Sequence, residues 1–167
     1  MTFTSDEFRQ LMRRHPAAVT IIATGSAPHR TGLTATAVMS LSMDPSSIVC
    51  AVNRASFTYA KIVENKSFSV NTLAQQHVSL AKVFSGQTTL SGEDRFADEE
   101  WCILTTGAPV LKSAVISLDC ELLQTIETGS HALIIGQVVA GRQSPDDPAL
   151  IYVDGQWTGV EASASTT

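Results

Sequence analysis

Two runs of alternating residues, 114–128 and 131–142, joined by nothing but Gly129-Ser130, constrain this chain more than any other feature. In the first run Ile116, Leu118, Cys120 and Leu122 point one way and Ser117, Asp119 and Glu121 the other, the period of two expected of a half-buried strand. A two-residue joint that begins with Gly suits a type II′ turn, so the runs predict one long β-hairpin. Such a hairpin needs partner strands, and β-rich segments at 18–24, 32–38, 47–52, 68–73 and 101–105 supply them. A second, shorter hairpin is expected at 150–153 and 156–160 around Asp154-Gly155. Helices are few. Thr4 and Glu7 make a capping-box pattern before the stripe Phe8, Leu11 and Met12, predicting a helix over 4–15 that Pro16 ends. Ser56 is a good N-cap for a short helix carrying Tyr59, Ile62 and Val63, and 78–84 has helical spacing. Segment 25–31 and Asp44-Pro45 read as turns, and 85–100 as a long polar loop. Mostly hairpin-like neighbours predict a mostly β, antiparallel sheet with a few short helices, and closure into a barrel removes its free edges.

Composition narrows the function classes. The 167 residues suit one domain, expected over 1–160, with a polar, disordered tail at 161–167. Acidic residues outnumber basic ones 16 to 11, the net charge is −5, and no Lys/Arg cluster occurs, so no nucleic-acid groove is expected. Only 16% of residues are charged, a composition suited to hiding surface in an oligomer. Three cysteines, Cys50, Cys102 and Cys120, are too few for a disulfide framework and read as reduced thiols. The N-terminus lacks an apolar signal core, and no apolar run approaches the roughly 20 residues that cross a bilayer. A cytoplasmic protein without membrane contact is the expectation.

The usual catalytic signatures are missing. No GxGxxG follows a strand, no phosphate-loop motif, HExxH or GxSxG occurs, and neither the cysteines nor His15, His29, His77 and His131 have metal-ligand spacing, so no metal is expected. Ser79-Leu80-Ala81-Lys82 matches a bare SxxK, but its partner patterns are absent, and Lys82 reads as a solvated helix residue. Two possibilities remain. Either the protein binds a ligand without catalysis, or a cofactor carries the chemistry and the protein positions it.

An ordered set of short motifs separates them. Gly32-Leu33-Thr34-Ala35-Thr36-Ala37-Val38-Met39-Ser40 is followed by Asp44-Pro45, Ile48-Val49-Cys50-Ala51-Val52-Asn53 and Ser56. Then come Phe68-Ser69-Val70-Asn71-Thr72-Leu73, Phe84-Ser85-Gly86, Arg95-Phe96, Pro109-Val110-Leu111, Gly129-Ser130-His131 and Leu150-Ile151-Tyr152. In this order and spacing, over about residues 8–157, the set resembles the flavin reductase-like family with the FMN-binding split-barrel fold. It looks most like the small reductase components of two-component aromatic monooxygenases. The resemblance implies a homodimeric split barrel that oxidises NADH or NADPH, reduces FMN or FAD, and passes reduced flavin to a separate flavin-dependent monooxygenase. It places Thr34, Ala35, Thr36, Ala37, Val38 and Ser40 at the flavin ring and phosphate, Asn53 and Ser56 at a flavin-contacting turn, and Phe84, Ser85 and Gly86 at a second flavin-side segment. His131 matches a histidine associated with nicotinamide. Three positions depart from the family pattern: Gly-Asp-His is Gly129-Ser130-His131, Asp-Pro-Pro is Asp44-Pro45-Ser46, and a glycine after the first helix is replaced by Ala17-Ala18.

The residues themselves admit a second reading beside the first. A flavin needs a flat apolar slot, hydroxyls and amides for its phosphate, and donors where negative charge develops on reduction. Small residues from Thr34 to Ala37 suit close backbone approach, but they also suit an ordinary packed strand. Asn53 and Ser56 serve equally as a turn and a helix cap. Phe84 is otherwise a core aromatic, His131 a solvent-exposed turn residue, and Arg95 either a solvated loop charge or a cofactor-phosphate or cross-dimer contact. Two other functions stay open: a bound-flavin reductase of another acceptor, such as a cobalt corrinoid, and a flavin-binding redox module without turnover.

Overall fold

The computed structural model describes residues 2–144 and 147–160; the expected tail at 161–167 lies outside the described residues. The first helix, α1 (Ser5–Arg13), starts as its sequence requires. The Thr4 hydroxyl accepts from the Glu7 amide at 3.2 Å, and the Glu7 carboxylate accepts from the Thr4 amide at 2.8 Å. Its apolar stripe stays at the surface, with no residue of the helix buried.

Seven strands then build one antiparallel sheet: β2 (Thr20–Thr24), β3 (Thr31–Ala35), β4 (Val38–Met43), β5 (Ser46–Asn53), β6 (Ser67–Thr72), β9 (Ile116–Thr128) and β10 (His131–Gln143). Their order is β3-β2-β6-β9-β10-β5-β4. The two edge strands, β3 and β4, are consecutive in sequence and separated only by Thr36-Ala37. Two residues cannot span the width of an open seven-stranded sheet, where neighbours lie about 4.8 Å apart. The sheet is therefore curled until its ends meet, and no ladder joins them: a barrel split along the line where Thr36-Ala37 crosses.

The predicted hairpin forms the wall opposite. Thr128 pairs with His131 across the two-residue turn, and Gly129 has φ of 44° while Ser130 does not enter the positive-φ region, as a type II′ turn requires. Outside the barrel, β1 (Ala17–Ala18), β11 (Ala149–Val153) and β12 (Gln156–Val160) make a small sheet, and β7 (Trp101–Cys102) pairs with β8 (Val110–Leu111). Two further helices complete the described elements. α2 (Phe57–Asn65) is capped by Ser56, whose hydroxyl accepts from the Tyr59 amide, and α3 is Val78–Phe84.

The core has two parts because β2 is covered on both faces. Ile22 joins Ile48, Cys50, Val52, Phe68, Val70, Cys120 and Ile134 inside the barrel, with Ile62 of α2 closing one end. Its neighbour Ile21 faces the other way, into a layer with Leu73, Leu80, Phe84, Phe96, Leu111 and Leu150. Among the described residues, no helix is long and apolar enough to cross a membrane.

Five local expectations need correcting. The strand expected over 18–24 breaks at Val19, where the chain passes from pairing with β11 to pairing with β6. The strand expected over 32–38 breaks at Thr36-Ala37, and Val38 starts a new strand on β5. The strand expected over 101–105 stops at Cys102 because the amides of Thr105 and Thr106 turn to donate to Asp119 at 2.7 and 2.8 Å. That turn buries Asp119, and Ser117 is buried with its hydroxyl donating to the Leu111 carbonyl at 3.1 Å, so neither faces water. The loop over 85–100 contains a 3₁₀ turn at Gly92–Phe96, pinned by an Arg30–Glu93 ion pair. Burial alone would raise the Glu93 carboxyl, but the Arg30 hydrogen bonds and charge outweigh it and hold the group below its ordinary value.

Candidate active site

The split in the barrel opens a cleft of about 430 Å³, lined by Thr34, Ala35, Thr36 and Ala37 at the β3–β4 corner, Ala51, Val52 and Asn53 at the end of β5, Ser56, Phe84, Ser85, Leu33 and His131. The sequence gives a reason for each wall. Only small side chains let the corner cross the split without filling it. Phe84, at the end of α3, is nearly buried and stacks edge-on against Phe96 at 5.0 Å, which holds its ring as a rigid side wall. Gly32 makes room for that ring: a Cβ there would lie 3.0 Å from Phe84. His131 pairs in register with Asn53, so the hairpin turn and the β5–α2 turn form one rim.

Hydrogen bonding sorts these residues into occupied and available groups. The Thr34 hydroxyl donates to the Ala81 carbonyl at 2.7 Å, so its proton is committed to holding α3 against β3. The Ser56 hydroxyl donates to the Asn53 carbonyl at 2.8 Å while accepting from the Tyr59 amide, so its one proton is committed to the cap. The Ser85 hydroxyl donates to Lys82 at 3.0 Å. The Asn53 carboxamide oxygen accepts from the Ala55 amide at 2.9 Å, which leaves its NH₂ for the cleft. Among the described residues, the Thr36 hydroxyl and the Thr36 and Ala37 amides have no acceptor, although the Ala37 carbonyl accepts from the Ala51 amide at 2.9 Å and so extends the β4–β5 pairing. His131 engages the Ser130 hydroxyl through Nδ1 at 2.9 Å, leaving Nε2 for a ligand.

Not every expected residue reaches this cleft. Val38 lies just beyond the corner and lines a neighbouring cleft of about 610 Å³, on the outer side of the strands beneath α1, which shares Thr36, Ala37 and Ala51. Ser40 is exposed on β4, opposite Ile48. Gly86 follows Ser85 with φ of 78° but contributes no lining. Arg95 lies away from the cleft lining, its guanidinium donating to the Leu90 carbonyl at 3.2 Å within its own loop. Ala51, Val52 and Leu33 line it unforeseen, since in sequence they are indistinguishable from core strand residues.

The chemistry available is therefore narrow. Among the described residues, His131 is the one titratable side chain lining the cleft. Behind it the Cys50 thiol is pushed up to about 12 by burial, and Cys120 is raised as well, by burial first and by Cys50 and Asp119 second. Both stay neutral and inert. The cleft offers an apolar wall, free amide and hydroxyl donors at its corner, a carboxamide donor and one imidazole. That set fits a planar, apolar, phosphate-bearing ring system that brings its own redox chemistry.

Comparison with known proteins agrees with the geometry. A family profile described as the flavin reductase like domain matches residues 12–161. The FMN reductase (NADH) RutF of Serratia proteamaculans is 36% identical over 151 residues, covering 90% of this chain and 85% of that protein. A crystal structure of a protein from Haemophilus somnus, described as a flavin reductase, superposes with a TM-score of 0.90 at 32% identity, covering 95% of this chain and all of that one. The flavin reductase PheA2 superposes at 0.86 with 26% identity, covering 96% of this chain and 100% of its own. With a split barrel, a corner of free donors and these similarities, the chain belongs to the flavin reductase-like family.

Proposed function

We propose that this flavin reductase, acting through residues 1–160 as one domain, transfers a hydride from NADH to FMN and releases the reduced flavin to a separate flavin-dependent monooxygenase. The observation that carries the reading is the corner at Thr36-Ala37, where the barrel's split exposes donors that neither ladder uses. NADH and FMN are favoured over NADPH and FAD by the names of the relatives. When bound, the flavin supplies the hydride-accepting centre. The chain's own residues bind and orient. The Thr36 and Ala37 amides and the Thr36 hydroxyl hold the electron-rich edge or phosphate, Asn53 donates its NH₂, Phe84 shapes the wall, and His131 Nε2 donates to or accepts from the nicotinamide nucleotide. No side-chain base is required for hydride transfer, which fits a cleft with a single titratable group. Catalysis then rests on bringing two stacked rings to about 3–3.5 Å.

A homodimer is part of this reading. The outer faces of β10, β5 and β4 carry Leu133, Ile135, Val49 and Met39, an apolar surface on strands whose inner faces are already core. A second copy is the occupant we assign, and light scattering should give about twice 17.8 kDa. The three free cysteines support a reducing, cytoplasmic setting. The function is tested by mixing the protein anaerobically with NADH or NADPH and free FMN or FAD. Flavin bleaching fastest with NADH and FMN is expected; no bleaching above the protein-free rate in any pairing sinks the proposal.

A further inference from the structure

We propose that Arg54 is a positioning residue that clamps the His131 turn to the rim of the flavin cleft and so sets where the nicotinamide nucleotide lies. The proposal rests on the role given to His131 above. Arg54 follows Asn53, at the point where β5 leaves the sheet for α2. Two of its groups make three contacts with the tip of the β9–β10 hairpin. Its amide donates to the Ser130 carbonyl at 3.0 Å, its guanidinium donates to the Gly129 carbonyl at 3.3 Å, and the same guanidinium pairs with Glu127 at 2.5 Å. One residue thereby ties all of the turn's backbone acceptors, and one flanking carboxylate, to the turn that carries Asn53 and Ser56.

The need for a clamp follows from the fold. The β9–β10 hairpin is the longest in the molecule, and its turn projects past the last paired residues of β5, where His131 meets Asn53. Beyond that pair Arg54 ties the tip to the turn between β5 and α2, and the Tyr59 hydroxyl of α2 adds one longer contact, to Glu127 at 3.5 Å. The Ser130 hydroxyl then fixes the imidazole through Nδ1 at 2.9 Å, so backbone position and ring orientation are set by separate contacts. An ion pair this exposed, with Arg54 and Glu127 side chains at 41% and 55%, contributes little to global stability. Its location, rather than its strength, argues for a role in placement.

The full-length protein tests this by a double-mutant cycle between Arg54→Ala and His131→Ala, with Arg54→Lys as the conservative variant. Arg54→Ala should raise the KM for NADH about three- to tenfold, keep the FMN Kd within about twofold, and speed amide exchange at residues 129–131. Arg54→Lys should recover part of the loss. In the His131→Ala background, Arg54→Ala should add nothing, because it acts through the imidazole. A merely structural role would move the melting temperature and FMN affinity together and overturns the proposal. Additive effects of the two substitutions overturn it as well, as would unchanged exchange at the turn. Wild-type protein without NADH-dependent flavin reduction overturns the proposed function and this role with it; activity with additive effects overturns the Arg54 role alone.

Discussion

Thr34 and Thr36 are two positions apart, alike in sequence, and different in duty. The Thr34 hydroxyl is consumed by the Ala81 carbonyl, whereas the Thr36 hydroxyl has no acceptor among the described residues. Valine keeps the β-branched shape at each site and removes only the hydroxyl. Thr34→Val strands a carbonyl and should lower stability by about 1 kcal/mol, read by urea denaturation, with little change in flavin affinity. Thr36→Val should leave the urea midpoint unchanged and weaken flavin binding about tenfold or more, because a hydrogen bond to a charged group is worth about 1.5–3 kcal/mol. Unchanged flavin affinity in both variants would show that backbone amides alone hold the ligand at this corner. Sequence alone ranked the two threonines together; the difference lies in which one α3 covers.

At the scale of elements, the long hairpin illustrates how strand and helix identity came from local pattern. Its alternation, its Gly129-Ser130 turn and the Ser56 and Thr4 caps were all legible, and the hairpin and the two capped helices formed within a few residues of their expected places, whereas β4 and β8 were not foreseen. The partners of the strands were less so. Gly136 lies in β10 directly over Phe68 of β6; a Cβ there would lie 2.5 Å from the buried Phe68 ring and 3.0 Å from the Cys120 Cβ. Gly136→Ala should therefore destabilise the protein by about 1–3 kcal/mol through overpacking, seen as a lower denaturation midpoint. A neutral result would mean that the Phe68 ring has room to move, contrary to its complete burial. Ser56→Ala should cost about 1 kcal/mol from the lost cap of α2 and, by loosening the Asn53 turn, weaken flavin binding modestly.

Across the whole molecule, His77 links folding to pH. It is buried in the short 3₁₀ turn Gln75–His77 that leads into α3, and its Nδ1 accepts from the Ala74 amide at 3.1 Å, so the neutral ring is the one that fits. Burial lowers its pKa below 6.5, only partly offset by the charges of Glu99 and Asp147. The unfolded chain thus binds a proton that the folded one refuses, and the native state loses stability as pH falls through 6.5, levelling off below the folded pKa. The melting temperature should drop from pH 7.5 toward pH 5, and His77→Gln should flatten that slope; an unaltered slope in the variant would assign the effect to other groups. Barrel closure was also expected, from the economy of removing edges, and the likeness to the family named the fold. The route by which the sheet closes was not visible, since nothing local in 32–38 shows that its two ends sit on opposite edges of one sheet.

Sequence by itself determined the elements and the inventory of chemistry. Period-two runs, caps and turns are set within a few residues, and the shortage of titratable groups with site spacing holds however the chain folds. Tertiary structure alone decided which of those residues act together. Thr36 and Ala37 kept free amide donors because β3 and β4 lie at opposite edges of a curled sheet, so the amides of the corner between them meet no carbonyl of either ladder. Arg95 turned away because its loop closed on Leu90, and Arg54 became a clamp because strand register brought the Gly129-Ser130 turn within its reach. Each of these depends on contacts between residues far apart in sequence, whose pairing is settled by packing and register rather than by local preference.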